Sequence, residues 1–402
     1  MNAPDSTSAT SKKRVVIIGG GYAGLSTAIL LGRQSEHFDV TLIDQSDTYL
    51  SAIQLHRTVH TPLQKLQTNY QLLSYKFNFR FVRAELKFDR SLLPLWAASS
   101  SLPVPGAGAD AGRLEFDFLC VCTGSGSLPI ENNTDPALIG SHVFPLDYLK
   151  RHSLDQSLAA LLERARNATP AEPARITVVG GGATGIQFLF ELDDHLKSKS
   201  QSYVLQLVDL EPRVLNVLSP DFHKYVARRM DERGIQYYPG VRFRKQEGDV
   251  LIGDRSADQS ELRLGSDMTL LFPGVVARPF PMRTNKYGQV EVGGSVLSNV
   301  LAAGDCAHFD ASGMNAPAAQ AAVRKGRLLA ENIKRLETGD RLQPYTYPEL
   351  GYFLSMGPWD GIGWMLVRFN VLTGIAAFGI KEAIELQFRL FLEGVDTYVD
   401  LI

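Results

Sequence analysis

Cysteine is scarce, with three residues in a chain of 402. Three thiols cannot build the disulfide framework of a small secreted domain, and they fit a reducing compartment. No two of them form a C-x-x-C pair, which excludes a redox dithiol of that kind beside a nucleotide loop. Cys120 and Cys122 fall in FDFLCVCTG, which reads as a buried strand, and Cys306 falls in AAGDCAHF. All three are therefore expected as core residues rather than as reactive ones. An excess of charge of either sign is also missing. A formal net charge of -2 argues against nucleic acid or a bulk anionic surface as the main partner. No apolar run reaches the roughly 18–20 residues that span a bilayer. The opening MNAPDSTSATSKKR has no apolar leader core, and residues 1–13 are expected to be a disordered polar tail.

What the chain does contain is glycine in two specific frames. RVVIIGGGYAGLSTAILL places Gly19, Gly21 and Gly24 as G-x-G-x-x-G, and RITVVGGGATGIQFLFEL places Gly180, Gly182 and Gly185 in the same frame. Each follows a β-branched run and opens a helical pattern, the context a dinucleotide fingerprint requires. The first two glycines allow a tight turn and let backbone N–H groups approach a pyrophosphate. The third lets helix and strand pack closely, with the helix N-terminus facing the phosphates. Each unit continues into a second strand that ends in an acid, VTLID at Asp44 and LQLVD at Asp209. Two such units imply two dinucleotides, one held and one exchanged.

Length alone calls for two or three domains. The expected architecture is α/β, with two Rossmann-like dinucleotide-binding domains. The first domain is discontinuous, residues 14–145 and 281–345, and the second, 146–280, is inserted into it. GQVEVGGSVLSNVLAAGDCAHF and the helix NAPAAQAAVRKGRLLAENI carry the return to the first domain. Residues 346–402 form a third region rich in aromatic and aliphatic side chains.

Several positions have two readings. Asp44 lies about 20 residues beyond Gly24, the distance for a ribose-binding acid, or it is a strand-end turn residue. Asp209 has the same two readings, with Glu211 as a competitor. An acid there disfavours a 2′-phosphate and so favours NADH over NADPH, an inference that Arg213 softens. Gly304–Asp305 ends a strand, and the Asp either meets a flavin ribityl chain or pyrophosphate, or caps a following helix. His56 and His60, spaced i, i+4, suggest a metal or proton site, but with no third ligand visible a solvated helix face is the stronger reading.

Taken in order, GGGYAGL (Gly19, Gly21, Tyr22, Ala23, Gly24), Asp44, the strand end CTG (Thr123, Gly124), GGGATG (Gly180, Gly182, Ala183, Gly185), FPG (Gly274), LAAGDCA (Gly304, Asp305) and NAPAAQAA amount to a resemblance. The chain resembles the FAD-dependent pyridine-nucleotide oxidoreductases of the two-dinucleotide fold. Within them it looks most like the single-subunit type II NADH:quinone dehydrogenases and the flavoproteins related to apoptosis-inducing factors. The resemblance implies FAD on the first loop, NADH on the second, hydride transfer to the flavin, and reduction of a quinone or other two-electron acceptor. It also implies a cytoplasmic enzyme, peripheral on the cytoplasmic face of the inner membrane. Two departures bear on the acceptor. Gly185-Ile186-Gln187 stands where the type II enzymes read Gly-Val-Glu, and Arg324 and Lys325 replace two glutamines of the later helix, although Ala319-Gln320 is retained. Gln320 and Gln187 are thus the candidate catalytic residues on the acceptor side.

In the C-terminal region Ile380, Ala383, Ile384, Gln387, Phe388 and Phe391 fall at helical spacing, with Lys381 and Arg389 on the polar face. Trp359, Trp364 and Phe369 suit a boundary between apolar and wet surroundings. A membrane foot, a homodimer interface and a core helix are the three readings of this region. Two other functions remain open on sequence. One is a soluble NADH-dependent reductase of a ferredoxin- or rubredoxin-type protein, and the other is a slow-turnover NADH-sensing flavoprotein.

Overall fold

The structure is a computed structural model that describes residues 11–105, 112–129, 134–167, 173–199 and 202–398. The start of the expected disordered tail, the tip of the Gly/Ala-rich loop after Pro105 and most of the NATPAEPA bridge lie outside the described residues. The chain divides into two compact units. Residues 11–49, 68–126 and 276–348 form the first, and residues 50–67, 127–275 and 349–398 the second.

The first unit is built on an eight-stranded sheet. Lys13–Ile18 lies third from one edge, pairing in parallel with Phe38–Asp44 on one side and Phe118–Val121 on the other. Arg80–Arg83 extends the sheet beyond the second strand, and Ser295–Ala302 beyond Phe118–Val121. These strands are mostly apolar runs (VVII, LI, LCV) because a parallel sheet is covered on both faces and leaves little solvent side for polar residues. Helix Tyr22–Gly32 packs on helix Ala319–Thr338, with their backbones closest where Ala23 meets Gly326. Thr27 Oγ1 donates to the Gly326 carbonyl at 2.9 Å and to Ala23 O at 3.0 Å. A Cβ on Gly326 would lie 2.3 Å from Ala23 O.

The second unit repeats the arrangement. Ala174–Val179 lies between Tyr203–Asp209 and Met268–Leu271, and Gln236–Pro239 follows the second strand, all parallel. Helix Ala183–Ser198 buries Ile186, Phe188, Leu189, Phe190, Leu192 and Leu196 in this unit's core. Beside the parallel sheet stands an antiparallel one, Val241–Glu247, Val250–Arg255 and Glu261–Gly265. Residues 50–67 also belong to this unit. Their short 3₁₀ helix Ala52–Val59 places Leu55 and Val59 in its core, with Leu63.

The C-terminal segment folds as an antiparallel sheet, Gly351–Ser355, Gly361–Met365 and Val371–Thr373, followed by helix Gly374–Leu392. Its buried face only partly follows the expected apolar spacing, which Phe388 and Phe391 obey and Ala383 does not. Ala377, Lys381, Glu385, Phe388, Phe391 and Leu392 are buried, whereas Ala383 is exposed. Lys381 and Glu385 pair at i, i+4, and Arg57 and Gln54 of the 3₁₀ helix also hold the Glu385 carboxylate, at 2.7 and 2.9 Å. Glu385 turns inward because Gln54 and Arg57, far away in sequence, meet it there, and Lys381 follows it.

Gly326→Ala should destabilise the first unit by about 1–3 kcal/mol, the usual cost of overpacking a close helix seam. Thermal unfolding followed by circular dichroism measures this, and an unchanged midpoint would mean that the seam relaxes.

Candidate functional site

Both glycine loops are shaped by the same set of contacts. In the first, Gly19 has φ +100° and a Cβ there would lie 2.4 Å from the Cys122 carbonyl oxygen. A Cβ on Gly24 would lie 1.8 Å from Gly19 O. In the second, Gly180 has φ +105°, a Cβ would come within 2.1 Å of Phe272 O, and a Cβ on Gly185 within 1.9 Å of Gly180 O. No side chain fits at these four positions. At Gly21 and Gly182, by contrast, a Cβ meets nothing within 4 Å. Each of these two precedes a helix N-terminus with no side-chain cap and no acid in its first turn. Uncapped N–H groups beside open space fit the pyrophosphate of a dinucleotide on each loop.

The strand-end acids brace the loops. Asp44 Oδ2 accepts from Gly20 N–H at 2.7 Å, and Oδ1 from Ser46 N–H at 2.8 Å. Burial raises its pKa against the opposing pull of these N–H donors. Tyr70, which no sequence motif marks, donates its hydroxyl to Gly20 O at 2.7 Å and stacks on Phe81. Asp209 is placed like Asp44: its Oδ1 accepts from Glu211 N–H at 3.3 Å, and Oδ2 would lie 2.3 Å from a Cβ on Gly181. Burial pushes Asp209 up to about 6. Glu211 is exposed, and its Oε2 accepts from Asn216 Nδ2 at 2.7 Å, while Asn216 Oδ1 takes Arg213 Nε at 2.9 Å. Asp209 and Glu211 both line a cavity of about 760 Å³ in the second unit. Gly180–Ala183, Arg242, Gly274 and Tyr352 line it too. That volume is in the range of sites for small molecules and cofactors.

The remaining expected residues fall in both units. Thr123 Oγ1 donates to the Arg278 carbonyl, Gly124 has φ +69° and Gly304 φ +86°. Asp305 accepts from Ser125 Oγ at 2.7 Å. It caps no helix, because the next element is the strand Ala307–Phe309 and the helix begins only at Ala319. Tyr22 and Ala23 open the first loop's helix, and Ala183 the second's. Gln320 sits half-buried in the first turn of Ala319–Thr338 in the first unit. Gln187 lies in the second unit, buried, with its Nε2 donating to Ser355 Oγ at 3.0 Å. Lys325, one of the departures noted above, is buried. Its Nζ donates to Ala307 O at 2.7 Å, and burial lowers its pKa to about 8.

One of the two histidines departs from the expected solvated face, and His60 keeps to it. His56 is buried rather than solvated, and an acid serves both rings: Glu191 Oε1 is 3.8 Å from His56 Nε2, and Oε2 is 3.2 Å from His60 Nε2. No sequence spacing links Glu191 to residues 56 and 60. Among the described residues no group of His, Cys, Asp and Glu is arranged to hold a metal ion. The three cysteines are free and buried, and burial raises the pKa of each.

Two dinucleotide cradles, each on a parallel sheet, define a two-dinucleotide flavoprotein oxidoreductase fold. Residues 13–326 match the family described as pyridine nucleotide-disulphide oxidoreductase, and the chain belongs to that family. It is an FAD-dependent NAD(P)H oxidoreductase. A type II NADH:quinone oxidoreductase of Staphylococcus aureus is 25% identical over 415 residues, covering 96% of this chain and 98% of the relative. The structure of NDH2 from Plasmodium falciparum in complex with NADH superposes with a TM-score of 0.74 at 12% identity, covering 94% of this chain and 95% of that one. The sulfide:quinone oxidoreductase of Aquifex aeolicus also gives 0.74, at 16% identity, covering 96% and 93%. Both structures share the fold. Among the described residues no helix is long and apolar enough to cross a membrane.

The raised pKa of Asp209 has a consequence for stability. An acid whose pKa is higher in the folded state stabilises the fold while it is protonated. That contribution is present below about pH 4 and is lost as pH rises through about 6. It amounts to about 2–3 kcal/mol. Urea unfolding of Asp209→Asn should therefore show a smaller loss of stability between pH 4 and pH 7 than the unsubstituted protein. An equal loss would mean that the carboxyl titrates normally.

Proposed function

We propose that the protein oxidises NADH and passes the electrons to a quinone, with FAD on the first loop and NADH on the second. The observation that carries this reading is the match to a type II NADH:quinone oxidoreductase over almost the full length of both chains, including the C-terminal region. When bound, FAD supplies the hydride acceptor and the route by which electrons leave. The protein binds and orients. In the first unit Gly19, Gly21, Tyr22, Ala23 and Gly24 hold the FAD pyrophosphate and Asp44 the ribose side, while Thr123, Gly124, Gly304 and Asp305 hold the remainder of the cofactor. In the second, Gly180, Gly182, Ala183, Gly185 and Gly274 receive NADH, and the acids Asp209 and Glu211 repel a 2′-phosphate, favouring NADH over NADPH.

On the acceptor side Gln320 offers an amide donor to a quinone carbonyl. Gln187 donates to Ser355 Oγ, which supports a positioning role for it. A lipid-soluble acceptor calls for a peripheral contact with the cytoplasmic face of the membrane. Trp359, Leu366, Ile375 and above all Phe369, 86% exposed, support such a contact for the C-terminal segment. A homodimer through the same segment is the competing use of these side chains. The small antiparallel sheet at Gly351–Thr373 favours a second reading, reductase of a ferredoxin- or rubredoxin-type protein.

Gly21→Val tests the first loop. Because a Cβ there meets nothing within 4 Å, the fold should survive while FAD is lost, seen as a colourless protein with an unchanged circular dichroism spectrum. Stoichiometric FAD in that variant would remove the assignment.

The acceptor is tested by steady-state turnover of NADH with menadione, ferricyanide and oxygen. Menadione should be preferred. Gln320→Leu should slow its reduction roughly 2- to 12-fold, the value of one hydrogen bond made in the transition state, with anaerobic flavin reduction by NADH unchanged. Equal losses in both half-reactions would instead make Gln320 a support of the flavin.

A further inference from the structure

The turn that follows the acid Asp209 is held in a conformation its sequence does not favour. Leu215, a bulky residue, has φ +52°, in the left-handed region that suits glycine. Such a backbone persists only where the surrounding bonds over-determine it, and it gathers at ligand sites. Here Leu215 N–H donates to Gly181 O at 2.8 Å, which ties the turn to the second glycine loop, and Leu218 N–H donates to Leu215 O at 2.8 Å. Gly240 N–H bonds Glu211 O at 3.3 Å. The turn is thus fixed against the cavity of the second unit, which Asp209, Glu211, Leu215 and Asn216 all line.

The polar side chains of this turn are joined in one order. Arg213 Nε donates to Asn216 Oδ1 at 2.9 Å, and Asn216 Nδ2 donates to Glu211 Oε2 at 2.7 Å. An amide carries an acceptor and a donor, so it satisfies a guanidinium and a carboxylate at once while keeping them apart. In direct contact the two would form an ion pair, and the acid's charge would be cancelled. Among the described residues Glu211 Oε1 has no hydrogen-bonding partner, and Arg213 does not line the cavity. The carboxylate therefore keeps its charge and one open oxygen at the cavity wall. Asp209 is committed differently, being buried, with its carboxylate bonded by the N–H groups of Glu211 and Gly181. The other cations of the wall are Arg244, paired with Asp254 at 2.9 Å and with Glu261, and Arg242, which has no charged partner among the described residues.

We propose that Asn216 sets the coenzyme preference, by holding the Glu211 carboxylate at the cavity and keeping Arg213 from neutralising it. The proposal rests on the reading that NADH binds the second loop. The adenosine ribose of NADH carries a 2′-hydroxyl, which donates to an open carboxylate oxygen, whereas NADPH carries a 2′-phosphate, which a carboxylate repels. Glu211 is the acid with an oxygen free for both effects. Asn216 is a positioning residue, because it touches the coenzyme choice only through Glu211 and Arg213. With its amide removed, Arg213 pairs with Glu211 directly or turns to the 2′-phosphate. Either movement lowers the barrier to NADPH.

The test titrates the full-length, FAD-loaded enzyme with NAD⁺ and with NADP⁺ by isothermal calorimetry, which needs no electron acceptor. Asn216→Leu should tighten NADP⁺ roughly 10- to 100-fold, the worth of a bond to a charged group, and weaken NAD⁺ roughly 2- to 12-fold, the worth of an ordinary one. Asn216→Asp still accepts from Arg213 but sets a second charge against Glu211, so it should bind NADP⁺ no more tightly than the unsubstituted enzyme. Adding Arg213→Leu to Asn216→Leu should remove the gain. A side chain that only supports the turn would shift both coenzymes alike. The proposal is overturned if Asn216→Leu leaves the ratio of the two affinities unchanged, or if the gain survives without Arg213, which would transfer it to Arg242. Gly182→Val tests the reading beneath it. A Cβ there meets nothing within 4 Å, so the fold should survive while both coenzymes are lost. Retention of NAD⁺ by that variant, or equal affinity of the unsubstituted enzyme for the two coenzymes, removes that reading and the role of Asn216 with it.

Discussion

The geometry of both units depends on one steric constraint, the passage of a glycine backbone beneath the carbonyl that ends a neighbouring strand. At Gly19 that carbonyl belongs to Cys122 and at Gly180 to Phe272, and in each case a later glycine lets the helix pack on the turn. The hydrogen bonds around the crossing are matched as well. Gly19 N–H donates to Ile43 O and Gly180 N–H to Val208 O, both at 2.8 Å, while Cys122 N–H donates to Ile18 O and Phe272 N–H to Val179 O. Strand order, helix entry and the position of the bracing acid follow from this crossing. A methyl group at any of the four closed glycines would force the helix off the sheet. The space left open at Gly21 and Gly182 exists because the other glycines have drawn the backbone so tight.

The parts of the fold governed by local rules were legible in the sequence. A β-branched run, a glycine frame and a helical period are read within about 30 residues, which is the size of the βαβ unit itself. The parts governed by distant partners were not. His56 reads as a surface residue until Ser355 and Glu191 are seen beside it, and both lie far along the chain. Lys381 reads as polar surface until Glu385, Arg57 and Gln54 are found to make its helix face polar and buried at once. Asp305 reads equally as a cap or as a cofactor ligand, and only the strand that follows it removes the cap. Tyr70 carries no motif at all, although it holds the loop carbonyl of Gly20.

Burying so many ionisable groups in the second unit is not explained by stability. Replacing a buried ion pair with apolar side chains of similar size is often neutral or stabilising by about 1–4 kcal/mol. The Glu385 carboxylate instead joins Lys381 of the C-terminal helix to Gln54 and Arg57 of residues 50–67, and Glu191 joins the same residues to helix Ala183–Ser198 through His56 and His60. Orientation is what an enzyme of this kind supplies, the redox chemistry being the cofactor's.

The three thiols give the molecule an internal clock for opening. Cys120, Cys122 and Cys306 all belong to the first unit, all are buried, and burial keeps them protonated. An alkylating reagent reaches them only when the packing around them opens, because the thiolate and not the buried, protonated thiol is the nucleophile. The second unit contributes no cysteine. Thiol modification in native conditions therefore times the breathing of one half of the molecule alone, with no label introduced, and the same shielding protects the resting enzyme from oxidants at these positions.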